Sequence, residues 1–197
     1  MAKLYLQRHL KSQWNLENRF TGWTDVPLCK EGIESAKKAA GEFAGLNIDK
    51  VYTSPLIRNR ETVFLILKNL GEENLPVIVN KALDERNYGE LQGLNKDEVK
   101  KQYGVEQVQL WRRSYSVAPP GGESLQDVCK RVYPFYKNFV EKDLEENKDV
   151  LIVASHNRLR AIVKYVENVP DDKISEVELP FGALVKYNFQ NGIYTKM

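Results

Sequence analysis

Cysteine and histidine are both scarce in this chain of 197 residues, which holds only Cys29, Cys129, His9 and His156 of those two types. Two cysteines in distant parts of the chain, without metal-ligand spacing, exclude a disulfide framework and a zinc centre and fit a reducing, cytoplasmic setting. An excess of one charge is also missing. The 29 Lys and Arg residues are interspersed with 27 Asp and Glu, for a net charge of +2, so no nucleic-acid footprint is expected. No apolar run approaches the roughly 18 residues that cross a bilayer, and the apolar stretch in residues 1–10 is too short for a signal peptide. No membrane role is expected. With 42% hydrophobic and 28% charged residues, the composition is that of a folded chain of a size for one domain, 1–197.

What is present is an alternation of strand and helix patterns. Residues 3–7 read as an opening strand, and residues 30–44 carry Ile33, Ala36, Ala40 and Phe43 at helical spacing. A second strand at 51–53 runs into Ser54-Pro55, read as an N-cap followed by proline at the first helical position. The helix after it turns Leu56, Val63, Leu67 and Leu70 inward. Residues 76–79 and 150–154 supply two more strands, the last leading through Ser155-His156 into a helix with Leu159, Ile162, Val163 and Val166. The pattern predicts an α/β fold, a three-layer sandwich with a mainly parallel central sheet, helices on both faces, and ligands at the carboxyl ends of the strands. Residues 84–147 read as a mostly helical insertion over the sheet edge, ending in an amphipathic helix kinked at Pro134.

Both histidines follow strands, which brings them to one sheet edge. His9 has Arg8 before it and Ser12 and Asn15 within a turn after it: an imidazole beside a fixed cation and neutral hydrogen-bonding groups suits a phosphoryl group. Alone, each histidine is as readily a structural residue, and Arg8 a surface charge; the shared topology shifts the balance. Arg58, Arg60, Lys96 and the pair Arg112-Arg113 are further candidate donors to an anion with several oxygens. Glu85, between Asp84 and Arg86, is a candidate proton carrier.

Three strings carry a resemblance that covers nearly the whole chain. They are WNLENRFTGW at 14–23, ERNYGELQGLNK at 85–96 and EQVQLWRRSY at 106–115, and in them the chain resembles the cofactor-dependent phosphoglycerate mutases of the histidine phosphatase superfamily. The resemblance implies that His9 is the phosphorylated nucleophile, Arg8 and Arg58 its phosphate clamp, Glu85 the proton donor and acceptor, and His156 a second catalytic histidine. It implies that Ser12, Asn15, Thr21, Gly22, Arg86, Tyr88, Lys96, Arg112, Arg113 and Asn157 bind substrate. The implied reaction interconverts 3-phosphoglycerate and 2-phosphoglycerate, with 2,3-bisphosphoglycerate as primer and intermediate and no metal. The implied partners are small phosphoglycerates and a second copy of the chain, as homodimer or homotetramer.

The chain departs from the family pattern in four places. Leu10 stands where the family has glycine and Lys11 where it has glutamate, which predicts a crowded phosphate pocket. The family's Ala-His-Gly-Asn-Ser-Leu-Arg-Ala is here residues 154–161, Ala-Ser-His-Asn-Arg-Leu-Arg-Ala. Without a gap, Ser155 takes the histidine position and Arg158 the serine; a shifted register keeps His156 in place and turns the helix start by about 100°. The tail at 190–197 is short, leaving less to close over a site, and a loop near Pro120-Gly121 is missing, a surface change expected to be harmless. The departures keep two alternatives open: a phosphatase of small phosphate esters, and a phospho-ligand binding protein without turnover.

Overall fold

The structure, a computed structural model, describes residues 1–197. Its centre is a six-stranded sheet in the order β3-β2-β4-β1-β5-β6, formed by β1 (Ala2–Arg8), β2 (Lys50–Thr53), β3 (Val77–Val79), β4 (Val150–Ala154), β5 (Leu184–Gln190) and β6 (Ile193–Lys196). The first four are parallel; β5 and β6 add an antiparallel edge beside β1. β4 is buried along its whole length, as a central parallel strand covered on both faces requires. Alternate residues feed opposite cores. Leu4, Leu6, Val150 and Ile152 pack with Leu125, Val128, Val132, Leu159 and Ile162, while Tyr5, Val51, Leu151 and Val153 pack with Phe43, Val63, Ile66 and Leu67. The sandwich that the sequence pattern predicts is therefore present.

The helices are α1 (Gln13–Leu16), α2 (Lys30–Glu34), α3 (Ala36–Gly41), α4 (Ile57–Leu70), α5 (Lys96–Tyr103), α6 (Val105–Arg113), α7 (Leu125–Phe135), α8 (Lys142–Glu145) and α9 (His156–Val166). Four details differ from the sequence reading. The expected helix at 30–44 breaks at Ser35 into α2 and α3, leaving Ile33 exposed. Ser54 does not cap α4, whose N-cap is Leu56; the Ser54 hydroxyl instead accepts from the Leu56 N–H and the Asn59 amide. The α-helix at Pro134 does not run on as one regular helix: it passes through the proline and widens into a π-helical stretch at Tyr136–Glu141 directly after it.

The fourth difference concerns the segment 84–147. Its second half is no insertion over an edge, since α7 lies in the main core against α9. The part between Leu83 and Ser124 surrounds Phe20, Leu91, Val99, Val108 and Trp111 in a small core of its own, at the carboxyl ends of the strands. The turn near Pro120 buttresses this part: the Pro120 carbonyl accepts from the Glu90 N–H at 3.0 Å. The tail at 190–197 is committed to the sheet as β6. The segment that reaches over the strand ends is instead 177–183, which carries Leu179 and Phe181.

Candidate active site

Parallel pairing of β1 with β4 sets Arg8 beside Ala154, and the His9 N–H donates to the Ala154 carbonyl at 3.1 Å. The residues that leave these two strands thus emerge side by side. His9 is buried, and its Nδ1 lies 2.6 Å from the Leu10 carbonyl oxygen. A carbonyl only accepts, so the proton sits on Nδ1 and Nε2 keeps its lone pair. Burial, then the Arg58 and Arg8 charges, hold the imidazole well below its usual pKa. His9 is therefore neutral at pH 7, the form that attacks phosphorus.

The same geometry disposes of the expected crowding at Leu10. Only its carbonyl faces the imidazole; its side chain turns away into an apolar cluster with Leu28, Ala36 and Ala39. The position needs a backbone oxygen, which leucine supplies as glycine does.

A polar cavity of about 90 Å³ opens at His9, lined by Arg8, Asn15, Thr21, Gly22, Arg58, Glu85, Tyr88, Lys96, Arg112, His156 and Asn157 together with Arg19 and Phe20. The structure thus brings together twelve of the residues singled out in the sequence and adds two. Arg19 and Phe20 sit inside the string 14–23, so the signal for them was that string itself. A larger hollow of about 880 Å³ lies between α6 and residues 171–175, but its walls hold Glu106, Asp171 and Asp172 against one cation, Arg113. Phosphate esters are drawn to the first and repelled by the second.

Three expected ligand residues lie outside the cavity wall. Ser12 is the buried N-cap of α1, and its hydroxyl donates to the Asn15 side-chain oxygen at 2.8 Å, which fixes the amide that does line the cavity. Arg86 is fully buried behind Tyr88 and donates to its hydroxyl at 3.1 Å. Arg113 pairs with Glu178.

Local sequence explains how the cations are presented. Arg58, on the first turn of α4, donates to the carbonyls of Gly22 at 2.8 Å and Thr24 at 3.0 Å. Gly22 has φ +58°, a left-handed conformation that strains most side chains and that glycine adopts freely, and a Cβ there would have to displace the Gln92 side chain. Arg8 donates to the Leu179 carbonyl and lies under the Phe181 ring. Burial lowers its pKa to about 10, and burial with the Arg112 charge lowers that of Lys96. For Tyr88, burial raises the pKa, but the Arg86 charge and hydrogen bonds from Arg86 and Asn157 carry it below its usual value. Buried polar atoms without a hydrogen-bond partner remain at Arg8 Nε, Thr21 Oγ1 and His156 Nε2. Cations crowded together with such unpartnered atoms are stabilised by an anion with several oxygens.

Glu85 is buried, and its carboxylate accepts from the Arg86 N–H at 2.6 Å and the Asn157 N–H at 3.2 Å. The structure gives Ser155 and His156 different places by backbone and by side chain. By backbone, Ser155 is the residue that leaves β4 beside His9, and it stands at the N-cap position of α9 without a side-chain capping bond. By side chain, His156 reaches the cavity. The Ser155 hydroxyl is buried 3.5 Å from the Asn59 amide, away from the cavity wall. His156 Nε2 lies 3.4 Å from Glu178, and burial, then Arg8, Arg160, Arg113 and Arg86, lower its pKa to about 2.

A family model described as histidine phosphatase superfamily (branch 1) matches residues 4–195. The chain belongs to that superfamily. Among its relatives, a 2,3-bisphosphoglycerate-dependent phosphoglycerate mutase of Cytophaga hutchinsonii is 44% identical over 191 residues, 97% of this chain and 89% of that protein. A mutase of the same description from Protochlamydia amoebophila is 40% identical over 100% of this chain and 99% of its own length. A phosphoglycerate mutase of Schizosaccharomyces pombe is 44% identical over 94% of this chain and 89% of its own. A solved mycobacterial glucosyl-3-phosphoglycerate phosphatase superposes with a TM-score of 0.88 over 100% of this chain and 98% of its own at 23% identity. That last likeness speaks to the histidine phosphatase fold alone.

Proposed function

We propose that the chain interconverts 3-phosphoglycerate and 2-phosphoglycerate through a phosphohistidine at His9. The observation that carries this reading is the His9 tautomer: a neutral imidazole with a bare Nε2 in a cavity walled by Arg8, Arg58, Lys96 and Arg112. Mutase relatives of more than 40% identity support it.

Arg8, Arg58 and His156 hold the phosphoryl oxygens, and Asn15, Lys96 and Arg112 hold the far end of the substrate. The unpartnered polar atoms at Arg8, Thr21 and His156 fit 2,3-bisphosphoglycerate, whose contribution when bound is the phosphoryl group that primes His9. Phosphorylated His9 passes the group to the substrate 2-hydroxyl. A bond forms from that oxygen to phosphorus, the bond from phosphorus to Nε2 breaks with its electron pair returning to nitrogen, and Glu85 takes the hydroxyl proton. Nε2 then attacks the phosphoryl group on the 3-oxygen, and Glu85 returns the proton to that oxygen as it leaves. Phe181 shields His9 from water.

One observation favours a second reading. Phe181 is 41% exposed, so the shield is open on one side, and an open shield favours hydrolysis of the phosphohistidine by a phosphatase. Purified protein primed with 2,3-bisphosphoglycerate and given 3-phosphoglycerate separates the two. Isomer formation outrunning phosphate release supports the mutase; phosphate release outrunning isomer formation gives the phosphatase. Neither product, with an unphosphorylated His9, removes both. The edge strand β3, with Val77, Ile78 and Val79 exposed, supports pairing with a second copy, which sedimentation tests. A cytoplasmic setting accords with this chemistry.

A further inference from the structure

Residues 84–88 carry the Glu85 carboxylate to the cavity without helix or strand geometry, so their backbone carbonyls need donors from elsewhere. Two guanidinium groups, neither of which lines the cavity, supply Asp84 and Glu85 from behind; the Glu85 carbonyl also accepts from Trp23 Nε1 at 2.5 Å, and the Asn87 carbonyl from the Glu123 N–H at 2.9 Å. Arg131, on α7, donates to the carbonyls of Asp84 at 2.9 Å and Glu85 at 3.0 Å. Arg158, on α9, donates to the same Asp84 carbonyl through Nε at 3.1 Å and also through Nη2, and to the Val128 carbonyl at 3.1 Å. Glu123 orients the first of these with a two-point fork, at 2.8 Å to Nε and 2.7 Å to Nη2. The same carboxylate accepts from the Asn87 N–H at 2.8 Å.

This arrangement is costly. Arg158 is fully buried with no carboxylate in contact, and it shares the Asp84 carbonyl with a second cation. A neutral donor satisfies one carbonyl more cheaply. Arg158 also stands where the family motif has serine, which offers one donor in place of a rigid fork. What the pair adds is rigidity: the loop is tied at successive carbonyls to two packed helices, and a catalytic group is most accurately placed from such elements.

We propose that Arg131 and Arg158 are positioning residues, which hold the carbonyls of Asp84 and Glu85 from α7 and α9 and thereby fix the Glu85 carboxylate for proton transfer without touching substrate. The proposal rests on the reading of Glu85 as proton carrier. When His9 Nε2 bonds to phosphorus and the bond to the leaving oxygen breaks, the electron pair goes to that oxygen. An alkoxide leaving group then needs the Glu85 proton; a dinitrophenolate leaves as a stable anion and needs none. Misplacing a catalytic group by about 1 Å costs on the order of 10²-fold in rate, and the loss falls only on the step that uses the group.

The test compares Arg131→Gln, Arg158→Ser and Glu123→Gln with wild type and with Glu85→Gln, on 3-phosphoglycerate and on 2,4-dinitrophenyl phosphate, with folding checked by circular dichroism. Glu123→Gln keeps both guanidinium groups and carries the test if an arginine variant fails to fold. The expected result is a kcat on 3-phosphoglycerate at least about tenfold lower, with KM within about threefold, and a first-turnover burst of dinitrophenolate, which leaves the phosphoryl group on His9 and needs no proton from Glu85, within about twofold of wild type in rate. If Glu85→Gln shows this split and the clamp variants lose both activities equally, or neither, the clamp is overturned alone. If Glu85→Gln shows no split, the reading of Glu85 falls and the clamp falls with it.

Discussion

The guanidinium carbon of Arg8 lies 3.7 Å from the centre of the Phe181 ring, and that ring is 6.0 Å from the imidazole of His9. One aromatic side chain, on the segment between α9 and β5, therefore covers both the nucleophile and a phosphate cation. Replacing Phe181 by Ala removes the cover and leaves both groups in place. The expected outcome is hydrolysis of the phosphohistidine faster by about tenfold relative to transfer to phosphoglycerate. Chasing the phosphorylated protein with and without acceptor checks it, and an unchanged partition contradicts it.

Ser155 and His156 are neighbours with separate fates, one tied to Asn59 and the other on the cavity wall. Ser155→Ala is expected to change kcat by less than about threefold. His156→Ala removes a donor to the transferring phosphoryl group, and such losses cost about 10²–10³ in kcat. Equal effects in the two variants would show that the side-chain assignment is mistaken.

The orientation of Leu10 separates stability from chemistry. Leu10→Ala leaves the carbonyl that fixes the His9 tautomer, so the rate of His9 phosphorylation is expected within about threefold of wild type. The emptied space against Leu28, Ala36 and Ala39 costs about 2–5 kcal/mol of stability. Urea unfolding and a phosphorylation time course measure the two effects independently.

The buried histidines predict how stability follows pH. Both have folded pKa values below the ordinary 6.5, that of His156 at about 2. Below pH 6.5 the unfolded chain takes up protons that the folded site refuses, so this contribution is whole above pH 6.5 and is lost as pH falls. Each imidazole contributes a slope of about 1.4 kcal/mol per pH unit. Urea midpoints between pH 7 and 5.5 should fall accordingly, and His156→Gln should reduce the slope by about half. A flat wild-type profile over that window contradicts the burial argument.

Much of the frame was legible in the residues. The unbroken apolar run of β4 marks a strand covered on both faces, and the two histidines at strand ends mark where the chemistry collects. β5 and β6 lie outside the strands read from the sequence, and it is the antiparallel pairing of β5 beside β1 that brings Tyr187 and Phe189 into the core. The misplaced start of α4 has a local cause: Ser54 is a good cap by type, but Asn59 and the Leu56 N–H compete for its hydroxyl. Arg86 and Arg113 read as ligands from their strings, while packing placed one behind Tyr88 and paired the other with Glu178.

The order of residues along the chain determined which groups are available: one imidazole after each of two strands, a carboxylate between Asp84 and Arg86, and enough guanidinium to bind a phosphate ester. Tertiary structure alone decided which of them share a wall. Side-chain direction at a helix start turns by about 100° per residue, so Ser155 and His156 face different surroundings although they are adjacent. Likewise, whether Leu10 crowds a pocket or fills a core depends on what packs beside it, and that is fixed by contacts from Leu28 and from Ala36 and Ala39 of α3.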